Sequence, residues 1–375
     1  MRENRHGFWL SLVLLLFLFL LIGASKSVMA AVCDAMLLCY QTVIPSLFPF
    51  LVLSACLMKS GFPVLCARLF APLMRPVFGV GGIGAVPFVV GMLSGYPVGA
   101  KVIAGLFRDK KLSKQEAERL LPCSNNAGPL FVMGAVGTGL LHNQGLGTML
   151  YCVHVIAAVL VGVVLGACGR KQHGKGCGLP AKVQAESLSF QSVSDAVSDS
   201  LQTMLLICSY IILFAAFSAI ILPVAGQILP SFLTLSLHGL LEVAGGSKTI
   251  ILSTLSPRIM LSLLAFCLGT GGLCVMMQVS GVLRGSGLGL HLYVAGKLLQ
   301  GFFSAVLVFF LYPLVPLESQ TVFAGVASVF RGGAGCFYIN SIVFFLCMPI
   351  FFKRGRGEKT VAPCSQKKSL SIDYK

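Results

Sequence analysis

Ser94-Gly95-Tyr96-Pro97-Val98-Gly99-Ala100-Lys101 stands at the end of an apolar run, Pro76–Ala100, that is long enough to cross a bilayer but holds seven glycines and three prolines. Glycine and proline interrupt helices, and in lipid the freed backbone groups must find partners within the protein or in a watery cavity. The run therefore predicts a helix broken at membrane depth rather than a plain span. Two more runs share this character. Leu120–Leu141 opens on Pro122 and passes through Ser124-Asn125-Asn126-Ala127-Gly128-Pro129, and Ile259–Leu283 is cut by Gly269-Thr270-Gly271-Gly272.

The rest of the chain supplies the membrane context. Of 375 residues, 56% are apolar and 11% charged, with mean hydropathy +0.90. A soluble domain carries about 25% charge, so this chain cannot cover a water-facing surface. A soluble enzyme, a disordered chain and a secreted disulfide scaffold are excluded. A transmembrane helix needs about 20 apolar residues. Besides the three runs above, Ala35–Met58, Leu146–Cys168, Leu201–Leu241, Leu298–Pro316 and Gly333–Phe352 meet or approach that length. Phe8–Ala24, behind Arg2 and Arg5, is read as an uncleaved first helix, and Val64–Pro76, with Arg68 and Arg75, as an interfacial one.

Charge sets orientation. There are 28 Lys+Arg against 12 Asp+Glu, a formal +16, and the basic residues lie between apolar runs. Cytoplasmic loops are enriched in Lys and Arg, so the excess is topological and no nucleic-acid partner is expected. Phe107–Arg119 carries five basic residues and the capping-box pattern Ser113-Lys114-Gln115-Glu116. The expected layout is a membrane helix at 1–30, a first repeat at 31–168, a polar linker at 169–195, a second repeat at 196–352 and a basic cytoplasmic tail at 353–375. The repeats rest on weak string matches: Ala31-Val32-Cys33-Asp34 with Ala196-Val197-Ser198-Asp199, and Ser94–Lys101 with Thr270–Met277. Loop charge places the two halves on opposite sides of the membrane at their starts. The fold class is thus an all-α polytopic membrane protein with two inverted repeats and broken or re-entrant helices, an arrangement typical of secondary transporters. Thr321–Phe352 is expected to form a hairpin broken near Arg331-Gly332-Gly333, which keeps the basic tail inside.

Among residues that carry chemistry, Lys101 is an ammonium just past a helix break, where exposed amides also favour an anion; snorkelling to the cytoplasmic face is the bland alternative. Glu242, in Leu241-Glu242-Val243-Ala244-Gly245-Gly246, is a candidate for proton coupling, for pairing with Lys101 or for holding a substrate hydroxyl, against a structural pairing with Lys248 or backbone amides. Asn125, Asn126, Ser94, Gly95 and Gln278 bring neutral hydrogen-bonding groups to the breaks, and Tyr96 offers a ring to a planar ligand; helix–helix hydrogen bonds explain them equally well. Asp34 and Asp199 read as helix N-caps. Fourteen cysteines without any C-x-x-C, and scattered histidines, read as apolar packing. No catalytic motif, metal site or cofactor is expected.

Pro45-Ser46-Leu47-Phe48-Pro49-Phe50, Ser94–Lys101, Glu116-Ala117-Glu118-Arg119, Asn125-Asn126-Ala127-Gly128-Pro129-Leu130-Phe131 and Glu242-Val243-Ala244-Gly245-Gly246 occur in this order. Together they resemble the YlbJ-type sporulation integral membrane proteins, which carry nucleoside-recognition (Gate) domains, over roughly residues 8–352. The resemblance implies a multi-pass protein of the bacterial cytoplasmic membrane, in the outer forespore membrane during sporulation, linked to moving dipicolinate from mother cell to forespore. The expected function is secondary transport of a small planar anion. A non-transport scaffold of spore-envelope assembly and a nucleoside–cation symporter are the alternatives, since Gate domains also occur in nucleoside and ferrous-iron transporters. The expected partners are a small-molecule anion and the lipid bilayer, with homo-oligomerisation left open.

Overall fold

A computed structural model describes residues 2–169 and 189–314. The chain divides into Met1–Val322 and Phe323–Lys375, and the second unit lies outside the described residues. So do most of the expected linker, the Thr321–Phe352 hairpin and the basic tail. The described part is helical throughout. Helix α1 is Arg2–Gly23 and α2 is Ser25–Leu38, set at 92° to each other across a one-residue break. A π turn, Cys39–Val43, joins α2 to α3, Ile44–Lys59. Pro45 and Pro49 account for it, because a proline ring clashes with the carbonyl four residues back and the helix widens to make room. Helix α4, Phe62–Leu73, likewise ends in a π turn around Pro76.

Next come the interrupted segments. Helix α5, Ala85–Ser94, and α6, Val98–Arg108, are separated by the Gly95-Tyr96-Pro97 break. Helix α7, Lys114–Ser124, ends at Asn125, and a π-helix, Leu130–Leu140, resumes beyond Pro129 before α8, Gln144–Gly169. After α9, Phe190–Ile228, the short pair α10, Ser231–Leu241, and α11, Val243–Ile251, breaks at Glu242. Helix α12, Pro257–Thr270, and α13, Gly272–Leu283, break at Gly271, and α14, His291–Leu311, follows. Gly95 and Gly271 have φ of +79° and +74°, a left-handed turn that a side chain would strain. Among the described residues, four helices are long and apolar enough to cross a membrane, or up to six if each sharply bent pair counts as one span. The protein is a multi-pass helical membrane protein.

With α1, α2 and α4 set aside, the element order runs twice: a helix (α3, then the much longer α9), a broken pair (α5–α6, then α10–α11), a second broken pair (α7 with the π-helix, then α12–α13) and a closing helix (α8, then α14). Packing follows the order. Helix α3 lies against α5 and the π-helix, as α9 lies against α10 and α13. Helix α8 packs on α7 and reaches α12, while α14 packs on α12 and reaches α7. In this order the Gly95 break corresponds to that at Glu242, and the Asn125 break to that at Gly271. The string match of Ser94–Lys101 with Thr270–Met277 pairs the starts of α6 and α13 instead, two helices that pack on each other.

Two expected caps are corrected. Asp34 lies within α2, and Asp199 lies within α9, whose N-cap is Ser189 accepting from the Ser192 amide. The apolar run begins after these acids, but the helices begin well before it. The capping box at α7 is formed: the Ser113 hydroxyl accepts from the Glu116 amide, and the Glu116 carboxylate accepts from the Ser113 amide at 3.0 Å.

Candidate functional site

The interrupted helices deliver a set of polar side chains into the buried interior. Lys297 of α14 is fully buried. Its ammonium donates to the Asn125 carbonyl oxygen at 3.1 Å, to Asn126 Oδ1 at 3.3 Å and to Gln300 Oε1 at 2.8 Å. Gln300 Nε2 donates to Asn126 Oδ1 at 2.8 Å and to the His154 carbonyl at 3.3 Å. Asn125 Nδ2 donates to the Tyr293 hydroxyl at 2.9 Å, and the Ala127 amide donates to His154 Nε2 at 3.2 Å. The knot thus ties the end of α7 to α8 and α14. Buried polar groups need such partners, since each one left bare costs about 1–3 kcal/mol.

Glu242 sits at the other break. It is buried, and its carboxylate caps α11 by accepting the Ala244 amide at 2.7 Å and the Gly245 amide. Two cavities meet at this residue. A small one of about 30 Å³ is lined by Gly95, Tyr96, Gly128, Phe131, Glu242 and Gln278, among others. The Tyr96 hydroxyl and Gln278 Oε1 are buried there with no hydrogen-bond partner. A crevice of about 850 Å³ lies on the other side, between α2, α9, α10 and α11; Asp34, Ser218, His238, Glu242, Lys248 and Thr249 line it. Ser218 Oγ and His238 Nδ1 have no partner either.

Of the residues singled out in the sequence, Gly95, Tyr96, Glu242 and Gln278 come together around the small cavity. Asn125 and Asn126 belong to the lysine knot instead, and Ser94 donates to Ser54 on α3 at 2.6 Å. Lys101 is exposed on α6 and joins neither group; of the two readings weighed for it, the outward-pointing one describes its place. The buried ammonium is that of Lys297, which stands just before the Leu298–Pro316 run and was not among the residues singled out. A signal for it exists. Tyr293, Lys297, Gln300 and Ser304 recur at steps of four, three and four, a polar stripe on one face of an apolar helix, and all four are buried. Among the described residues no three His, Cys, Asp or Glu side chains converge to hold a metal ion.

Fold and site together define a helical multi-pass membrane protein whose helices are broken around a buried polar centre. No family model matches the chain, and no solved structure matches it. It is 32% identical over 304 residues to the sporulation integral membrane protein YlbJ of Bacillus subtilis (strain 168), a match covering 73% of this chain and 74% of that protein. The chain belongs to the YlbJ family of sporulation integral membrane proteins.

Proposed function

We propose that this protein is a secondary carrier for a small planar dianion of the dipicolinate class, acting in the outer forespore membrane, and that its two halves are inverted in the bilayer. The observation that carries the reading is Glu242, a buried carboxylate at a helix break that walls both a wide crevice and a small cavity. A carrier needs a gate of this kind, where irregular backbone is kept from lipid and faces a cavity. The larger space suits the solute. The smaller cavity, with about 30 Å³ of water-accessible space, holds a few waters at most, since about 10–15 Å³ suffices for one, whereas the 850 Å³ crevice has room for an aromatic dicarboxylate. Lys248 supplies positive charge at its wall, with Thr249 and His238 as hydrogen-bonding groups. A proton taken up by Glu242 would remove the negative charge that repels a dianion. No chemical conversion is involved.

Binding to the purified protein in detergent tests the reading. Dipicolinate is expected to bind saturably, with K248A weakening it at least tenfold and uridine failing to compete. Competition by uridine would favour a nucleoside symporter, and binding of neither would favour a scaffold of the spore envelope.

A further inference from the structure

We infer that Asn125, Asn126 and Gln300 form a monovalent-cation site whose ion is supplied by the chain itself, as the tethered ammonium of Lys297. The argument is one of coordination and does not depend on the carrier reading. An ordinary buried lysine is paired with a carboxylate, because an unpaired charge in a low-dielectric interior is costly. Lys297 has no ion-pair partner among the described residues; its three donors are spent on three neutral oxygens at 2.8–3.3 Å. One is the carbonyl of Asn125, the residue that caps the C-terminal end of α7. A helix C-terminus carries partial negative charge, and carbonyl ends of interrupted membrane helices are places where carriers hold a dissociable cation. The other two are side-chain amide oxygens, and Gln300 Nε2 fixes Asn126 Oδ1 from the opposite side at 2.8 Å.

All of these residues are fully buried, so the oxygens are taken out of water and turned toward one point. A cage of neutral oxygens on a half-helix end is a cation's environment, and here a covalent stem delivers the cation. Two consequences follow. This break takes no free sodium or potassium while Lys297 is in place. Removing the stem leaves an empty cation site, selective for small monocations and above all for a primary ammonium.

Lys297→Ala lacks the atoms of propylammonium, which makes that ion the probe. Thermal melting of the detergent-purified variant is measured with propylammonium chloride, with 1-propanol as the uncharged isostere, and with tetramethylammonium chloride as a cation too bulky to enter. The variant is expected to melt well below the native chain, with propylammonium restoring most of the loss and the two controls little of it. Melting unchanged by the substitution, no restoration by propylammonium, or equal restoration by 1-propanol would each overturn the inference. Lys297→Met, which keeps an apolar stem, serves as a second variant, expected to lose stability without being restored. Where Lys297→Ala does not survive purification, the same comparison is read as the yield of monodisperse protein from membranes solubilised with each additive; equal yields overturn it.

Discussion

A carboxylate whose two oxygens each accept a backbone amide is held in one orientation, and Glu242 is held this way by Ala244 and Gly245. The same two amides would otherwise be orphan donors at the start of α11. Hydrogen bonding at this scale also sets the cost of losing single atoms. Tyr293→Phe removes the hydroxyl that accepts from Asn125 Nδ2 and leaves a buried amide bare; it should lower stability by about 1–2 kcal/mol, read as an earlier melting transition. Lys101→Ala, by contrast, changes an exposed side chain. It should leave melting within about 0.5 kcal/mol of the native chain and dipicolinate binding unaltered, and loss of binding would return Lys101 to the site. The two lysines show what a sequence can and cannot carry at this scale. Lys297 follows Gly296 directly and Lys101 follows Gly99-Ala100, each in an apolar stretch, and neither composition nor spacing around Lys101 says which way its helix face turns. That depends on the packing of α6. Lys297 was legible only through its periodic polar companions.

At the scale of elements, glycine decides how closely helices cross. A Cβ on Gly91 or Gly99 would overlap the Ser124 carbonyl oxygen, so α5, α6 and α7 meet backbone to backbone. Gly99→Ala must push these helices apart and is expected to cost about 3 kcal/mol, measured as a lower melting temperature. Breaks at Ser94–Pro97, Asn125–Pro129 and Gly271 were legible because glycine, proline and asparagine cluster there, whereas single prolines such as Pro122 and Pro223 lie within helices. The π turns were less so, since proline announces a disturbance but not whether the helix kinks or widens. The start of α7 was legible to the residue. Burial alone would raise the Glu116 carboxyl, but the Ser113 amide and hydroxyl, the Gly81 amide and Arg119 hold it below the ordinary carboxylate range. A depressed native value means stability that is present above the unfolded-state value and lost as pH falls through the native one. Native protein should therefore melt above Glu116→Gln at neutral pH, the gap closing as the buffer is taken below about pH 4. A gap that widens on acidification would contradict the assignment.

For the whole molecule, composition alone settled the solvent, because 11% charge cannot clothe a soluble protein of this length. The doubled element order was only faintly legible in strings of residues. It emerges from which helix touches which, and packing of that kind leaves little trace in aligned letters. Breaks from both runs of helices line one interior, where Glu242 walls a small cavity and a wide crevice. The carrier proposal makes these the two sides of a gate. Dipicolinate flux into proteoliposomes reads this most directly. The account predicts uptake well above protein-free vesicles, accelerated by an imposed proton gradient in the native chain and indifferent to that gradient in Glu242→Gln. Native proteoliposomes that take up no more dipicolinate than protein-free vesicles, or a Glu242→Gln variant that follows the gradient as the native chain does, would contradict it.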